Sequence, residues 1–534
     1  MTSLLSVRNL TVRFGATVAV DNVSFDLAPG AALGIVGESG SGKSVTCRAV
    51  MRLLPASAQI NGQVKFEERD LLRMPEAELD RVRGKRVAMI FQSPSSHLDP
   101  LMRVGDQVAQ TLHKHTSLKG LAVRDEVLRL LDVVRIPDPE RCAYSYPHQL
   151  SGGMKQRAMI AGALASQPDL LLADEPTTAL DATVQKSVLD LLAHLRREHN
   201  LSMIFVSHDL GAVARVCDDL LVMRRSRLVE TGPVSRIINA PRHDYTRKLI
   251  ASHPDRMPQR PPAAVLPGSA LVEARGLQVR YGSRTVTDWI VGREGGFMAV
   301  EKADFALHPG ETLGIVGESG SGKSTLARTL VGLAKPRRGE ILFDGAPADL
   351  TGRARIAYLR EMQLIYQHPS EALNPRMTVR AAIAEPLLRH HLCPRNVLSK
   401  RVAELMGQVD LAPDLANRLP SQLSGGQCQR VAIARALAFD PRVLIADEVT
   451  SALDVTLQAQ VIALLLQLQK ERGLSMIFIS HDLAVIRRLC NSVVVMRAGQ
   501  IVESGPTAKV FDAPEHEYTR TLIDAIPHLE GNAA

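Results

Sequence analysis

The chain has 534 residues, and its 45% of hydrophobic and 22% of charged residues match a folded protein with two or more domains of roughly 200 residues each. Every apolar run ends well before the ~18 residues that cross a bilayer, which excludes a membrane-spanning chain. The formal charge of +8 is compatible with a mixed solvated surface or with attraction to nucleic acid or anionic lipid, whereas the 4% of aromatic residues offers no stacking platform for single strands.

The N-terminal stretch, residues 1–14, reads MTSLLSVRNLTVRF and lacks the long apolar segment and small-residue cleavage site of a secretory signal. We therefore expect the chain to stay in the cytoplasm. Its six cysteines are scattered without a CxxC or CxxxC pair, which predicts reduced thiols rather than disulfides, a metal site or an iron–sulfur cluster.

The first functional motif is a glycine-rich loop, GESGSGKS, at residues 37–44, and the same sequence returns at 317–324. Each copy fits G-x-x-x-x-G-K-[ST] and follows a predicted apolar strand, the context that a phosphate-binding loop requires. Its backbone N–H groups would face a β-phosphate, its lysine would neutralise phosphate oxygens, and its serine would bind Mg²⁺. The alternative, a glycine-rich turn without a ligand, is disfavoured by the repetition. The loop residues predicted to contact nucleotide are Gly37, Glu38, Ser39, Gly40, Ser41, Gly42, Lys43, Ser44, Gly317, Glu318, Ser319, Gly320, Ser321, Gly322, Lys323, Ser324 and Thr325.

Two more repeated features follow each loop. A glutamine ends an apolar run, as Gln92 in MIFQSP and as Gln367 in LIYQHP, where its amide oxygen could bind Mg²⁺ or the attacking water. The alternative is a solvated turn glutamine. The tetrapeptide LSGG then occurs at 150–153 and at 423–426, and taken alone it indicates only a turn.

An acidic pair ends the next apolar run in each half. Asp174 and Asp447 close these runs, and Glu175 and Glu448 follow them directly. Such a pair alone could instead stabilise the N-terminus of a helix through its negative charge. Behind a phosphate loop, the aspartate is better interpreted as a magnesium ligand and the glutamate as the base that activates water.

A histidine follows a further apolar run, as His208 in the first half and as His481 in the second. A histidine at a strand end is often structural, but the repeated position favours contact with the γ-phosphate and the attacking water. Apolar runs such as 169–174 suit strands buried on both faces, and residues 181–200 have helical spacing. Strand, helix and strand predict a parallel α/β core.

The repeat divides the chain into two halves. The offset between copies is 280 at the glycine-rich loop and 273 from LSGG onward, so the first half carries seven extra residues between them. The proline-rich segment 253–270 reads as a partly extended linker, which predicts domains at 1–252 and 271–534. The second half has an extra stretch, 283–296, with the only tryptophan, Trp289, and we interpret it as a surface excursion or a partner contact.

Together these motifs resemble the nucleotide-binding subunits of ABC transporters, twice and over essentially the whole chain. LSGGMKQR and LSGGQCQR look like the family signature, and ALD at 179–181 and 452–454 resembles its D-loop. The resemblance implies two P-loop ABC nucleotide-binding domains in tandem, with ATP and Mg²⁺ as cofactors. Each is expected to have a parallel-sheet RecA-like core, an antiparallel β edge and a helical subdomain, at 93–149 in the first half and 368–422 in the second.

The resemblance also implies head-to-tail composite sites, in which the signature of one half caps the γ-phosphate held by the loop of the other. It implies adenine stacking on Phe14 in VRFG and Tyr281 in VRYG, for which core packing is the alternative. We expect both sites to hydrolyse ATP. The signature residues with this expected role are Ser151, Gly152, Gly153, Ser424, Gly425 and Gly426.

The two P-x-H-x-Y-T segments, PRHDYT at 241–246 and PEHEYT at 514–519, resemble the ending of the oligopeptide/dipeptide importer subfamily. The resemblance implies an ATPase peripheral to the cytoplasmic face of the inner membrane, with two permease subunits, an extracytoplasmic solute-binding protein and no nucleic acid. Peptide is the expected cargo, with nickel chelate, glutathione and opine as alternatives. A soluble twin-cassette ATPase acting on ribosomes or DNA and the motor of an exporter are the other hypotheses.

Overall fold

The computed structural model describes residues 3–178, 180–257, 269–282, 296–451 and 453–529. Two compact units divide the chain, one from the N-terminus to Arg256 joined by residues 527–529, the other Met257–Ile526. Within the described ranges, no helix combines the length and the apolar character needed to cross a membrane. The stretch predicted as a surface excursion, including Trp289, lies outside the described residues except for its last glycine.

The first unit contains two sheets. One is antiparallel, in the order β2-β1-β4-β5, and the other has the order β10-β9-β3-β8-β7-β6. The strands are β1 (Leu5–Phe14), β2 (Thr17–Leu27), β3 (Ala32–Val36), β4 (Ala58–Phe66), β5 (Arg69–Asp70), β6 (Val87–Ile90), β7 (Leu170–Asp174), β8 (Ser202–Val206), β9 (Asp219–Arg224) and β10 (Arg227–Pro233). The helices are α1 (Lys43–Val50), α2 (Glu76–Val82), α3 (Pro94–His97), α4 (Val104–His115), α5 (Leu121–Val133), α6 (Pro139–Tyr144), α7 (Gly152–Leu164), α8 (Ala182–His199), α9 (Leu210–Val216), α10 (Val234–Asn239) and α11 (Asp244–Ala251).

The second unit repeats this order of elements, and its strands join in the order β15-β14-β11-β12-β20-β19-β13-β18-β17-β16. The strands are β11 (Val272–Tyr281), β12 (Phe297–Leu307), β13 (Thr312–Val316), β14 (Arg338–Phe343), β15 (Ala346–Pro347), β16 (Met362–Ile365), β17 (Val443–Asp447), β18 (Ser475–Ile479), β19 (Ser492–Arg497) and β20 (Gln500–Pro506). The helices are α12 (Lys323–Leu330), α13 (Gly352–Glu361), α14 (Pro369–Ala372), α15 (Val379–Arg389), α16 (Leu398–Gln408), α17 (Gly425–Leu437), α18 (Val455–Arg472), α19 (Leu483–Leu489), α20 (Thr507–Asp512) and α21 (Glu517–Asp524).

The core of each unit is a parallel sheet with helices on its faces. In the first unit β3 pairs in parallel with both β8 and β9, and every residue of β3, β7 and β8 is buried. Strands covered on both faces need apolar side chains at successive positions, which explains the continuous apolar runs. Phe205 and its counterpart Phe478 are fully buried at the centre. The predicted α/β fold is confirmed.

The long helix α8 shows how the sequence sets an element's limits. Its buried side chains, among them Val188, Leu192 and Leu195, recur at helical spacing and face the sheet. Asn200 ends the helix with φ 49°, a left-handed conformation that asparagine tolerates. In the second unit, Gly473 ends α18 in the same way with φ 64°.

The segment predicted to begin the linker is partly folded. His253 is only 4% exposed, and Pro254–Arg256 form a turn of 3₁₀ helix, so the chain does not become extended at residue 253. Residues 258–268 lie outside the described part.

The end of the described chain, residues 527–529, packs in the first unit, whereas the sequence had placed it in the second domain. Leu529 is 3% exposed and belongs to the same apolar cluster as Val234 and Ile238. Its backbone N–H donates a 3.0 Å hydrogen bond to Asp255 Oδ2. Apolar burial and this hydrogen bond together hold the segment in place.

Candidate active site

The glycine-rich loop in each unit links the central strand to a helix, α1 in the first unit and α12 in the second. Gly42 and Gly322 precede these helices with φ of 100° and 104°. A Cβ atom on Gly42 would lie 2.3 Å from the carbonyl oxygen of Ala19, and one on Gly322 would lie 2.4 Å from that of Ala299. Glycine is therefore required for both conformation and space. The loop places backbone N–H groups at a helix start, where anions are stabilised.

The lysine of each loop is buried inside it. Lys43 Nζ donates hydrogen bonds to the carbonyl oxygens of Gly37 and Glu38, at 2.7 and 2.8 Å. Lys323 Nζ makes the equivalent bonds to Gly317 and Glu318, each 2.8 Å long. The ammonium group thus lies within the curve of the loop, where it can interact with phosphate oxygens.

The serine that ends each loop meets the aspartate at the end of a neighbouring strand. Ser44 Oγ donates a 2.6 Å hydrogen bond to Asp174 Oδ1, and Ser324 Oγ donates one of 3.0 Å to Asp447. Burial raises the pKa of both carboxyl groups. Among the described residues, Asp174 Oδ2 is buried without a hydrogen-bond partner, and Arg48 Nη2 lies 3.8 Å from it. Hydroxyl and carboxylate oxygens with spare acceptor capacity fit a hard divalent cation such as Mg²⁺.

The predicted base, glutamine and histidine come together beside this serine–aspartate pair. In the first unit Gln92 Nε2 donates to Glu175 Oε2 at 2.8 Å, and His208 Nδ1 lies 3.7 Å from the same oxygen. Thr178, which the sequence analysis did not single out, also donates to this oxygen, at 2.9 Å.

The same grouping occurs in the second unit. Gln367 Nε2 donates to Glu448 Oε2 at 2.7 Å, and His481 Nδ1 lies 3.5 Å from it. In each half, the predicted glutamine and histidine therefore meet at one carboxylate oxygen of the predicted glutamate, although the three residues come from separate segments.

The protonation of this group follows from its surroundings. Burial alone would raise the pKa of Glu175, but the interaction with His208 and the hydrogen bonds from Thr178 and Gln92 bring this pKa down to about 2. Burial also opposes the charge of His208, yet Glu175 raises the pKa of this imidazole. In the second unit Glu448 likewise raises the pKa of His481. Glu175 is therefore ionised at neutral pH, the contact with His481 lowers the pKa of Glu448 against the effect of burial, and each histidine is easier to protonate than an ordinary imidazole.

Both glutamates have an unusual backbone conformation. Glu175 has φ 47° and Glu448 has φ 49°, in the left-handed region that costs an ordinary residue about 1 kcal/mol. Backbone hydrogen bonds of 3.0 Å, from Glu175 to Val206 and from Glu448 to Ile479, hold these turns. In this conformation the carboxylate contacts the glutamine and histidine, and stored backbone strain is typical of functional sites.

The signature residues lie at the start of a long helix in each unit. Ser151 caps α7 by accepting a hydrogen bond from the N–H of Met154, and Ser424 caps α17 by accepting one from Gln427. A Cβ atom on Gly153 would approach Val184 Cγ1 to 2.5 Å, so helix packing also requires this glycine. The pairing of the signature of one half with the loop of the other remains a prediction from the family resemblance.

The two aromatic residues predicted to stack on adenine differ in exposure. Tyr281 is 42% exposed at the end of β11. Phe14, at the end of β1, is partly buried and packs against the apolar cluster beneath the sheet. Tyr281 therefore presents a free ring face more readily than Phe14 does.

Two tyrosines that the sequence analysis did not assign to the site contact the glycine-rich loops. The N–H of Glu38 donates a 3.0 Å hydrogen bond to Tyr245 Oη, and the N–H of Glu318 donates one of 3.0 Å to Tyr518 Oη. Both belong to the P-x-H-x-Y-T segments, which the sequence analysis used only to identify a subfamily. Their repetition at the same place in each half was the available signal.

The chemistry of this arrangement is that of a phosphate-loop nucleoside triphosphatase, and both units carry it. The "ABC transporter" family model matches residues 20–178 and 300–451. A second model, "Oligopeptide/dipeptide transporter, C-terminal region", matches residues 229–276 and 502–534.

Curated relatives agree with these family matches. The chain is 45% identical to the glutathione import ATP-binding protein GsiA of Pectobacterium atrosepticum, over 98% of this chain and 89% of that protein. It is 44% identical to GsiA of Escherichia coli (strain K12), over 99% and 90%. Among solved structures, cbiO1 from Clostridium perfringens, part of the ABC transporter complex cbiONQ, is 28% identical, covers 46% of this chain and 93% of its own, and has a TM-score of 0.41. The chain therefore belongs to the ABC transporter family, and its two cassettes form an ATPase that uses ATP and Mg²⁺.

Proposed function

We propose that the chain is the ATP-hydrolysing subunit of an importer for short peptides, working with two permease subunits and an extracytoplasmic solute-binding protein. The match of both halves to the oligopeptide/dipeptide transporter C-terminal region is the observation that carries this proposal. Among peptides we propose glutathione first, because curated relatives at 44–45% identity over almost the whole chain are named glutathione importers.

The roles of the site residues are part of the proposal. Magnesium-bound ATP supplies the phosphoanhydride bond whose hydrolysis releases the free energy for transport. Lys43 neutralises phosphate charge at the loop, and Ser44 and Asp174 offer the oxygen ligands for the metal. Glu175 accepts a proton from water, and His208 orients this carboxylate and stabilises its charge. The same roles fall to Lys323, Ser324, Asp447, Glu448 and His481 in the second unit.

A groove in the second unit is the surface we propose for a permease. It has a volume of about 670 Å³ and lies among α13, β16, α15 and α17. Three side chains along it, Leu333, Ile356 and Tyr366, are 54%, 46% and 43% exposed, which is unusual for large apolar residues. Arg355 and Arg389 also line it. We therefore propose a short permease helix with apolar and acidic side chains as its occupant.

The groove is close in sequence to the catalytic group. Tyr366 lines it and directly precedes Gln367, whose amide donates to Glu448. A helix seated against Tyr366 would therefore act one residue away from a hydrogen bond of the proposed base. This position supplies a route by which the state of the permease influences hydrolysis.

A membrane-association experiment tests the proposed groove. Ile356→Asp should lower the fraction of protein that sediments with membranes containing the permeases, while the affinity for ATP stays that of the wild type. Ile462→Val, a conservative change in the buried core of the same unit, is the control. Unchanged sedimentation of Ile356→Asp would rule out this groove.

A transport assay tests which solute the importer carries. Proteoliposomes that contain this protein, its permease subunits, its solute-binding protein and ATP should accumulate glutathione, and glutathione should raise the melting temperature of the binding protein. Uptake of a dipeptide but not of glutathione would support the proposal of a peptide importer and would overturn glutathione as its cargo. If RNA or DNA stimulated the ATPase activity of the protein in solution, and the protein did not bind the permeases, the soluble twin-cassette alternative would be supported instead.

A further inference from the structure

The tyrosines of the P-x-H-x-Y-T segments connect the C-terminal part of each unit to its glycine-rich loop. Tyr245 lies 207 residues after Glu38, and Tyr518 lies 200 residues after Glu318, yet each phenolic oxygen accepts a hydrogen bond from the loop N–H. The rings are only 3% and 6% exposed. Two copies with different intervening sequences have kept one geometry, so the contact is a property of the site.

The rest of the segment fixes the position of the tyrosine. In the first unit the N–H groups of Arg242 and His243 donate to the buried carboxylate of Glu230, at 2.9 and 3.0 Å. His243 Nδ1 accepts a 3.1 Å hydrogen bond from the N–H of Tyr245 and so caps α11. The guanidinium of Arg224 lies 4.9 Å from the centre of the tyrosine ring, a cation–π distance.

The second unit holds its tyrosine in the same way. The N–H of His516 donates to Glu503 at 3.1 Å, and His516 Nδ1 accepts a 3.0 Å hydrogen bond from the N–H of Tyr518. Arg497 lies 4.9 Å from the centre of its ring. Glu503 holds His516, His516 caps the helix at Tyr518, and Arg497 covers the tyrosine ring. The hydroxyl of Tyr518 therefore has little freedom to move.

The loop residue that donates its N–H to the tyrosine also accepts a hydrogen bond from the lysine. The N–H of Glu318 is bonded to Tyr518, and the carbonyl oxygen of Glu318 accepts a hydrogen bond from Lys323 Nζ. One residue of the loop therefore joins the tyrosine to the lysine that faces phosphate. A loop that must place several N–H groups at once gains affinity when its conformation is fixed before the ligand arrives.

We infer that Tyr245 and Tyr518 are positioning residues, which hold the glycine-rich loops in the conformation that receives the phosphates of ATP. This inference rests on the proposed nucleotide contacts of the loops. It gives the P-x-H-x-Y-T segment a physical role in ATP binding, through its tyrosine and the side chains that fix it.

The test compares full-length wild type with Tyr245→Phe, Tyr518→Phe and the double variant. Removal of one neutral hydrogen bond should weaken MgATP binding at the altered site about fivefold. The KM for ATP should rise by a similar factor, while kcat at saturating ATP stays within about twofold, because the tyrosine does not touch the reacting atoms. The single variants carry the test if the double variant does not fold.

The matched control is Tyr358→Phe. Tyr358 is also a buried tyrosine of the second unit, and its hydroxyl donates a 2.7 Å hydrogen bond to the carbonyl oxygen of Leu330, at the far end of α12 from the loop. This variant should lose stability without nucleotide but keep the wild-type affinity for MgATP. Unchanged affinity in Tyr518→Phe, or an equal loss in Tyr358→Phe, would overturn the inference. If wild type itself bound no MgATP, the proposed loop contacts and this inference would both fail.

Discussion

The side-chain amide of Gln367 donates a 2.7 Å hydrogen bond to Oε2 of Glu448. The bond joins the segment after β16 to the segment after β17, so a shift of one segment would disturb a contact of the carboxylate in the other. Gln92 and Glu175 form the same pair in the first unit. A glutamine in place of the glutamate can still accept this bond through its amide oxygen, which makes the change nearly isosteric.

We expect Glu175→Gln and Glu448→Gln to retain ATP binding and to lose turnover. An amide cannot accept a proton from water, and a positioned base contributes roughly 10²–10⁴ to a rate. Each single variant should reduce phosphate release to about half or less, and the double variant at least a hundredfold. Binding of a fluorescent ATP analogue and release of phosphate measure the two properties.

The control for this prediction is Glu404→Gln, a change of a half-exposed carboxylate on α16. It should behave as wild type in both assays. Wild-type turnover in the double glutamine variant would remove the assignment of the general base.

The second prediction concerns magnesium. Ser44→Ala and Ser324→Ala each remove a hydroxyl that hydrogen-bonds to the strand-end aspartate. The Mg²⁺ concentration for half-maximal ATPase activity should rise several-fold, since a hard oxygen ligand is lost. Affinity for ATP measured in EDTA should change less. An equal loss with and without Mg²⁺ would show that the serine supports the loop rather than the metal.

The third prediction concerns acid stability. Burial opposes the charge of Glu230, but the backbone N–H groups of Arg242 and His243 lower its pKa below the ordinary 4.5. A carboxyl group whose pKa is lower in the folded than in the unfolded protein stabilises the folded state above pH 4.5. This stabilisation is lost as the pH falls through the pKa of the folded state. Glu230→Gln should therefore be destabilised by about 1–2 kcal/mol at pH 7, with a smaller difference from wild type below pH 4.5.

Urea unfolding at pH 7 and pH 4 measures this effect. Glu503→Gln, at the equivalent position of the second unit, should repeat it, because its carboxylate accepts the same kind of backbone hydrogen bonds. A difference from wild type that is as large at pH 4 as at pH 7 would mean that the charge of Glu230 is not the cause.

The fourth prediction concerns Leu529. Leu529→Ala should cost up to ~2 kcal/mol of stability, because it uncovers apolar surface in the first unit. Hydrogen exchange should accelerate in peptides of α9 and α10, which lie close to this side chain, and stay unchanged in the second unit. Leu522→Ala, a buried change in the second unit, should show the opposite pattern. Faster exchange in the second unit alone would contradict the assignment of Leu529 to the first.

The sequence was most informative where function depends on contiguous residues. The loop 37–44 has its chemistry in neighbouring backbone groups, and the strand Val443–Asp447 is a continuous apolar run because both of its faces are covered. Gln92, Glu175 and His208 were assigned to one site by their expected roles toward ATP and water, but other contacts between distant segments were not predictable. Tyr245 is marked by its repetition, but no local pattern says which of the buried polar groups its hydroxyl meets. The packing of Leu529 in the first unit was missed for the same reason, since an apolar residue near a chain end does not indicate its partner.

The position of Leu529 also bears on how the protein is made. Asp255, which anchors it, precedes it by 274 residues, and the whole second unit is translated between the two. As the chain leaves the ribosome, the first unit can form its sheets while one site in its apolar cluster still awaits a side chain. Its final packing therefore waits for the synthesis of the second cassette, and a first cassette expressed alone would lack the residue that covers this site.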